Sequence, residues 1–133
     1  MHTITITTLR QVEFIEITDD VRTWLLDQHV QSGLLTAYVP HTTAGITINE
    51  NADPDVIRDL AMEINRVIPY ENGYQHREGN AAAHIKAAIL GSSIQVIIED
   101  NDLVLGRWQG IFLGEFDGPR HQRQVHLQIT PSS

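Results

Sequence analysis

The 133-residue sequence predicts one α+β domain spanning residues 1–133, a mostly antiparallel β-sheet or sandwich with helices packed on one side. Three observations carry that expectation. Short β-branched segments outnumber helical ones, successive strand segments mostly follow one another directly, and the three helical segments are short and bounded by turn residues. The order read from the chain is two strands, one helix, two strands, two helices and three strands.

Thr3 to Thr8 (TITITT) alternates isoleucine with threonine, and Val12 to Ile17 (VEFIEI) continues the β-branched bias. Together they predict an antiparallel pair turned at Leu9-Arg10-Gln11. Thr18 then reads as the N-cap of a helix, with Asp19 and Asp20 opposing the positive end of its dipole. Val21, Trp24 and Leu25 supply the apolar face, and Gly33 follows the helix end. Gly33 to Val39 predicts a strand stopped by Pro40, with Ala44 to Glu50 as its partner. In that partner Ile46 and Ile48 share one face, while Thr47 and Asn49 share the other. Regular pairing back to His41 adds that residue and Thr43 to the polar face.

Asp53-Pro54 opens a second helix as N-cap and first helical residue. Val56, Ile57, Leu60, Ile64, Val67 and Ile68 recur at helical spacing and predict a buried stripe, opposite a solvated Asp55, Asp59, Glu63 and Arg66 side. Pro69 ends it. Gly79-Asn80 caps a third helix that runs to Leu90 and stops at Gly91, with Ile85, Ala88 and Ile89 as its apolar face. Ile94 to Ile98 is apolar on nearly both faces and is expected at the centre of a sheet. Trp108 to Phe116 is almost continuously apolar, and Gly110 and Gly114 on one face predict a close backbone approach. Trp108 itself reads as core or subunit contact. Gln122 to Ile129 alternates, with Val125, Leu127 and Ile129 inward and Gln124, His126 and Gln128 outward.

A hydrophobic fraction of 41% with 20% charged residues describes an ordinary globular protein. Net charge is −8, and Lys86 is the single lysine beside eight arginines. That balance excludes non-specific nucleic-acid binding, which needs a basic surface to neutralise phosphates. It permits a small anion held by a few local arginines. No apolar run is long enough for a membrane span, and the opening MHTITITTLR lacks a signal-peptide core, so the cytoplasm is the expected location.

No Walker loop, GxGxxG, HExxH, GxSxG or EF-hand loop is present, and there is no cysteine. Histidine, aspartate and glutamate are therefore the strong ligands available. The most informative stretch is Tyr74 to Gly91 (YQHREGNAAAHIKAAILG), where His76 and His84 bracket a glycine-hinged turn at a helix start. Around it stand His41-Thr42-Thr43, Asn49-Glu50-Asn51 and Glu115-Phe116-Asp117-Gly118-Pro119-Arg120. A zinc site needs three or four donors within about 2.0–2.3 Å of the ion, and His41, His76 and His84 lie on separate elements that can converge. Glu78 or Glu50 suits a base or an outer hydrogen-bonding partner.

HTTAGITINENADPDV, YQHREGNAAAHIKAAILG and GRWQGIFLGEFDGPR together resemble, in order and spacing, the YjbQ-like family, small bacterial and archaeal proteins sometimes named secondary thiamine-phosphate synthases. The resemblance covers roughly residues 38 to 125 of the chain. It implies a β-rich homotrimer with a histidine-lined metal site near a subunit interface, and a thiamine-phosphate-forming activity that couples a pyrimidine diphosphate to a thiazole phosphate. It matches His41 to an HTT motif, His76 to a tyrosine-x-histidine motif and His84 to an AH(I/L)K motif. On this reading His41, His76 and His84 hold a divalent metal, zinc by the donor set or magnesium with a phosphorylated substrate. His84 and Glu78 are the catalytic candidates; Asn49, Glu50, Asn80 and Arg120 contact substrate.

Plainer roles compete at several positions. His41 suits hydrogen bonding to a ligand as well as to a metal. Glu78 suits a first-turn acid, Asp53 a helix cap, and Arg120 an ion pair with Asp117 or Glu115. His29 and His126 read as ordinary surface or core residues. Lys86 lies two residues after His84, about 200° around the helix, so it faces away from that site and reaches a neighbour's site only in a trimer. The competing function is a non-catalytic metal- or metabolite-binding module.

Overall fold

The computed structural model describes all residues 1–133. Strands β1 (His2–Ile6) and β2 (Glu13–Glu16) precede helix α1 (Thr18–Leu26), followed by β3 (Ser32–Tyr38) and β4 (Ala44–Glu50). Helices α2 (Pro54–Val67) and α3 (Ala81–Leu90) come next, then β5 (Ser93–Glu99), β6 (Asp102–Leu103), β7 (Gln109–Glu115) and β8 (Arg123–Pro131). The α+β class holds, with one addition to the expected order. Asp100 and Asn101, both at positive φ, turn the chain after β5 into the two-residue β6, a backbone twist that suits tight hairpins.

All strand pairs are antiparallel, in a five-stranded sheet ordered β1-β8-β3-β5-β6 and a three-stranded sheet ordered β2-β7-β4. Sixteen buried apolar residues from both sheets and α1 form one core cluster, including Leu35, Ile46, Ile98, Leu113, Val125 and Leu127. Helices α2 and α3 lie on the side of the smaller sheet. The alternation read in Gln122 to Ile129 holds, since Val125 and Leu127 point inward. Trp108 to Phe116 holds too, because β7 is the middle strand of its sheet and is covered on both faces.

Neither expected hairpin forms. β1 pairs with β8 and β2 with β7, so the chain changes sheets between them. The Leu9 and Arg10 N–H groups donate to the Glu13 carboxylate, so a side chain closes the turn where a ladder was expected. β3 likewise pairs with β5 and β8, whereas β4 pairs with β7. β5 is next to the sheet edge, not central. Ile97 on its outer face is 56% exposed, and only the short β6 lies beyond.

The helices differ from expectation in detail. Thr18 is not the N-cap of α1, a position that Ile17 takes. The Thr18 hydroxyl instead donates to Glu16 and accepts the Ile111 N–H, tying the helix start to both strands. The helix ends well before Gly33, and His29 at φ +53° makes the reversal. Asp53 caps α2 as expected, accepting the Asp55 N–H. Its apolar stripe is only half-buried: Ile68 just past the helix is covered and Ile64 packs against the Ala83, Ala87 and Phe116 cluster, but no residue within α2 is fully covered and Val67 stands exposed. Trp108 is not core either, being largely exposed beneath the Arg107 guanidinium.

α3 is turned round relative to the expectation. Ala82, Ala83 and Ala87 face inward with Lys86, while Ile85, Ala88 and Ile89 face out. Gly45 and Gly114 are cross-strand partners and form the seat on which the helix end rests. A Cβ on Gly45 would lie 2.7 Å from the Gly91 carbonyl oxygen, and one on Gly114 2.7 Å from a Leu90 methyl. Helix and sheet approach so closely that small residues are what the inner face accommodates.

Lys86 is the exception, and it is fully buried, so it does not reach a neighbouring site. Its ammonium donates to Asn65 Oδ1 at 2.6 Å and sits 3.7 Å above the Tyr70 ring. Asn65 is in the last turn of α2, whose carbonyl end favours a cation. Burial lowers the Lys86 pKa to about 8.

Substituting Gly45 by Ala tests the seat. The new methyl meets a backbone carbonyl that already accepts the Ile46 N–H. Urea denaturation should show a loss of about 1–3 kcal/mol; unchanged stability would mean that α3 does not rest on this strand.

Candidate functional site

One end of the sandwich is closed by a buried ion pair that spans the two sheets. Glu115 ends β7 and Arg123 begins β8, with relative exposures of 0% and 3%. Arg123 Nε donates to Glu115 Oε1 at 2.9 Å and Nη2 to Oε2 at 2.6 Å, a two-point contact. The Thr8 hydroxyl and the Asp117 N–H complete the carboxylate at 2.7 and 3.0 Å. Arg123 Nη2 also donates to Thr43 Oγ1 at 2.8 Å. Burial on its own would push the Glu115 carboxyl up, but the Arg123, Thr8 and Asp117 donors together hold it below its ordinary value. A buried charge pair is tolerated only with this completeness of hydrogen bonding.

Beside the pair lies a polar pocket of about 350 Å³ with no hydrophobic lining residue. The turn from Pro40 to Thr43, Arg123 and Arg120 form one wall; Glu78, Asn80 and His84, at the start of α3, form the other. A second pocket of about 370 Å³ adjoins it, sharing His41, Thr42 and His84 and floored by Ala44, Ala87, Ala88 and Gly91. The seating of α3 on Gly45 and Gly114 therefore places His84 between the two compartments.

His41 is held by its ring. The Gln124 N–H donates to His41 Nε2 at 2.9 Å, so the neutral ring carries its proton on Nδ1. Burial first, then the Arg123 charge, lowers the His41 pKa, which favours the neutral ring. Arg120 pairs with Asp117 at 3.0 Å, and Asp117 also accepts from Asn80 Nδ2 at 2.9 Å. The ion pair weighed for Arg120 is thus formed, with Asp117. Asn80 uses only its amide nitrogen on that bond, leaves its buried Oδ1 without a partner, and caps α3 without a side-chain hydrogen bond.

His76 and His84 meet edge to face, with ring centroids 5.3 Å apart. That spacing is ordinary edge-to-face aromatic contact, and it is also close to the roughly 5.2 Å between centroids of two imidazoles on one tetrahedral zinc at about 2.05 Å per Zn–N bond. Glu78 Oε2 lies 3.7 Å from His76 Nε2. No three His, Asp or Glu side chains of one chain converge to a formed ligand set. A metal on His76 and His84 would draw its other donors from Glu78 after a small movement, from water, from ligand or from another subunit.

With neutral histidines, the Arg120–Asp117 and Arg123–Glu115 pairs cancel and leave the pocket wall the charge of Glu78 alone. A divalent ion on the His76–His84 side would invert that sign.

Asn49 and Glu50 are not brought to this pocket. They end β4, six and seven residues of extended chain from Thr43, roughly 20 Å or more away at about 3.3 Å per residue. Asn49 Oδ1 there accepts the Glu50 N–H.

The family described as UPF0047 protein YjbQ-like matches residues 2–132. This chain belongs to the YjbQ-like family. It is 49% identical over 121 residues to UPF0047 protein YugU of Bacillus subtilis, covering 90% of this chain and 92% of that one. It is 45% identical over 124 residues to UPF0047 protein MJ1081 of Methanocaldococcus jannaschii, covering 93% and 89%. A crystal structure of a yjbq/upf0047-family protein from Clostridium acetobutylicum superposes with a TM-score of 0.95 at 48% identity, over 98% of this chain and all of that one. Protein TT1486 from Thermus thermophilus gives 0.90 at 37% identity, with the same coverage.

Sequence patterns in this YjbQ-like chain did not single out Arg123, and they placed Glu115 only within the Glu115-to-Arg120 segment as a partner for Arg120, not for Arg123. Arg123 sits in the inward register of an otherwise apolar alternation with Val125 and Leu127, and Glu115 ends a continuously apolar strand. Opposite charges at two inward positions were the available signal.

The pair also sets an acid limit. Glu115 has a depressed folded pKa, so its stabilisation is complete above the unfolded carboxyl value and is lost as pH falls through the folded one. Glu115→Gln leaves Arg123 without its counter-charge and should cost about 3–5 kcal/mol at neutral pH. The variant's urea midpoint should also fall less steeply on acidification than that of the wild type; parallel acid limbs would assign the acid sensitivity to other carboxylates.

Proposed function

We propose that this pocket binds a small phosphorylated metabolite together with a divalent metal, and that it catalyses transfer of thiamine-phosphate-synthase type. The observation that carries the reading is the pair of adjoining compartments, one wholly polar and one floored by small residues, meeting at His41 and His84. Coupling a pyrimidine diphosphate to a thiazole phosphate forms one C–N bond and releases pyrophosphate, so the site must hold two ligands and stabilise a departing anion. Cations and fixed N–H donors aimed at that anion are the physical means.

In this reading His76 and His84 hold the metal, zinc on the imidazoles or magnesium where phosphate oxygens supply most donors. When bound, the ion neutralises leaving-group charge. His84 and Glu78 border the reacting groups, and the Glu78 carboxylate offsets the positive charge that develops on the pyrimidine carbon as the C–O bond to pyrophosphate breaks. Asn80 and Arg120 shape the polar compartment. Metal and phosphate support each other, because the pocket wall is negative without the ion. Linkage then requires that each raise the affinity of the other by the same factor.

Glu78 and Arg120 are exposed, so a single chain leaves the polar compartment open to water. That openness favours either a second subunit as cover or the alternative reading, a binding module without catalysis. We assign the cover to a homotrimer. The apolar side of α2 with Ile89 is the surface that needs a partner, since Met62, Val67 and Ile89 are each more than half exposed. The cytoplasm is the assigned compartment.

Purified protein given both substrates and a divalent metal should form thiamine phosphate, and His84→Ala should abolish it. Binding of both ligands without product supports the module, and full activity in the variant removes His84 from the reaction. Light scattering should give trimer mass for the wild type and a smaller mass for Ile89→Asp. A wild-type monomer at micromolar concentration would contradict the assembly.

A further inference from the structure

We propose that His41 and Arg123 form a rigid two-donor anchor for a ligand oxyanion, in which His41 acts as a neutral N–H donor and not as a metal ligand. The inference rests on the anionic-ligand reading above and assigns roles within it that neither the fold nor the family resemblance supplies.

The geometry begins with what each side chain has already spent. Arg123 uses Nε and Nη2 on Glu115 and Thr43, while Nη1 has no hydrogen bond within the chain. His41 uses Nε2 to accept the Gln124 N–H, and Nδ1 has no partner. The one buried side-chain polar atom lacking a partner is Asn80 Oδ1, so neither Nη1 nor Nδ1 is sealed in the interior. Both residues line the same polar pocket. Two unpaired N–H donors therefore belong to side chains of the pocket wall whose other polar atoms are pinned from behind.

That pinning decides the chemistry. A ring whose Nε2 accepts a backbone N–H must carry hydrogen on Nδ1 when neutral. Coordinating a metal through Nδ1 would require removing that proton, and coordinating through Nε2 would require breaking the bond from β8. Donating Nδ1–H to an oxyanion requires neither. Arg123 is likewise held in one rotamer by a two-point carboxylate contact, so it loses no freedom on meeting a ligand. The donors come from the Pro40–Thr43 turn and from β8, whereas His76, His84 and Glu78 come from α3 and the loop before it. The two sides thus divide the work, with the anion on the sheet wall and the metal on the helix wall.

The test uses zinc-loaded protein, desalted of free metal and titrated calorimetrically with inorganic phosphate, with bound zinc measured in parallel. A hydrogen bond to a charged group is worth about tenfold or more in affinity. His41→Ala should therefore weaken phosphate binding about tenfold while keeping the wild-type zinc content. His41→Gln can accept the Gln124 N–H through its carbonyl and offer its amide N–H to the ligand, and should recover most of the loss. Arg123→Lys keeps a positive charge opposite Glu115 but lacks Nη1, and should weaken phosphate with zinc unchanged. Loss of zinc in His41→Ala would make His41 a ligand and overturn the proposal. Unchanged phosphate affinity in both His41→Ala and Arg123→Lys would overturn the anchor and leave the anionic-ligand reading standing. No phosphate binding by zinc-loaded wild type would remove that reading and the anchor with it.

Discussion

The salt bridge between Glu115 and Arg123 is the constraint on which the rest of the site depends. It joins the end of the middle strand of one sheet to the start of an inner strand of the other, with only one edge of the Arg123 guanidinium reaching the pocket. Two buried charges are costly unless every polar atom that water would have satisfied finds a partner. Here Thr8, Thr43 and the Asp117 N–H supply those partners, and each belongs to a segment leaving or entering a strand. Thr8 also accepts the Arg120 N–H, and Phe116 N–H donates to the Thr43 carbonyl. The loops around the pocket are therefore organised from within by one pair of charges.

The second determinant is the close seating of α3. Glycines at 45 and 114 bring helix and sheet near enough that alanines fill the contact, and this fixes the rotation of the helix. Rotation places His84 toward the pocket and Lys86 into the interior. The buried ammonium then holds Tyr70, whose hydroxyl donates to the Phe116 carbonyl, next to the Asp117 that orients Asn80 and Arg120. Burial, with the nearby Asp117 and Glu115 charges, raises the Tyr70 pKa to about 12, so that hydroxyl keeps its proton. Helix packing and pocket geometry are thus coupled through residues that never face the ligand.

What could be read in the sequence follows the range of the interaction. Alternation in β8, the apolar run of β7, the Asp53-Pro54 start of α2 and the glycine stop of α3 are local signals, and each appears where expected. Strand partners are not local. TITITT and VEFIEI look like a hairpin because nothing within them records that Glu13 closes the turn and that β7 and β8 are better partners. Amphipathicity also misled twice. The stripe on α2 is apolar but only half covered within the chain, and α3 hides its alanines and lysine while showing its isoleucines. His76 and His84 were legible as a pair because they flank one helix start. The pairing of Arg123 with Glu115 was not, because Glu115 looks like a partner for nearby Arg120 until the register of two strands in different sheets is known.

On the proposed reading the sheet wall of the pocket binds the anion and the helix wall binds the metal. A crystal structure of the protein with zinc and inorganic phosphate, with zinc located by its anomalous scattering, tests this division most directly. The ion should bind His76 and His84, with phosphate oxygens within hydrogen-bond distance of Arg123 Nη1 and His41 Nδ1. Zinc coordinated by His41, with its ring released from the Gln124 N–H, would contradict it.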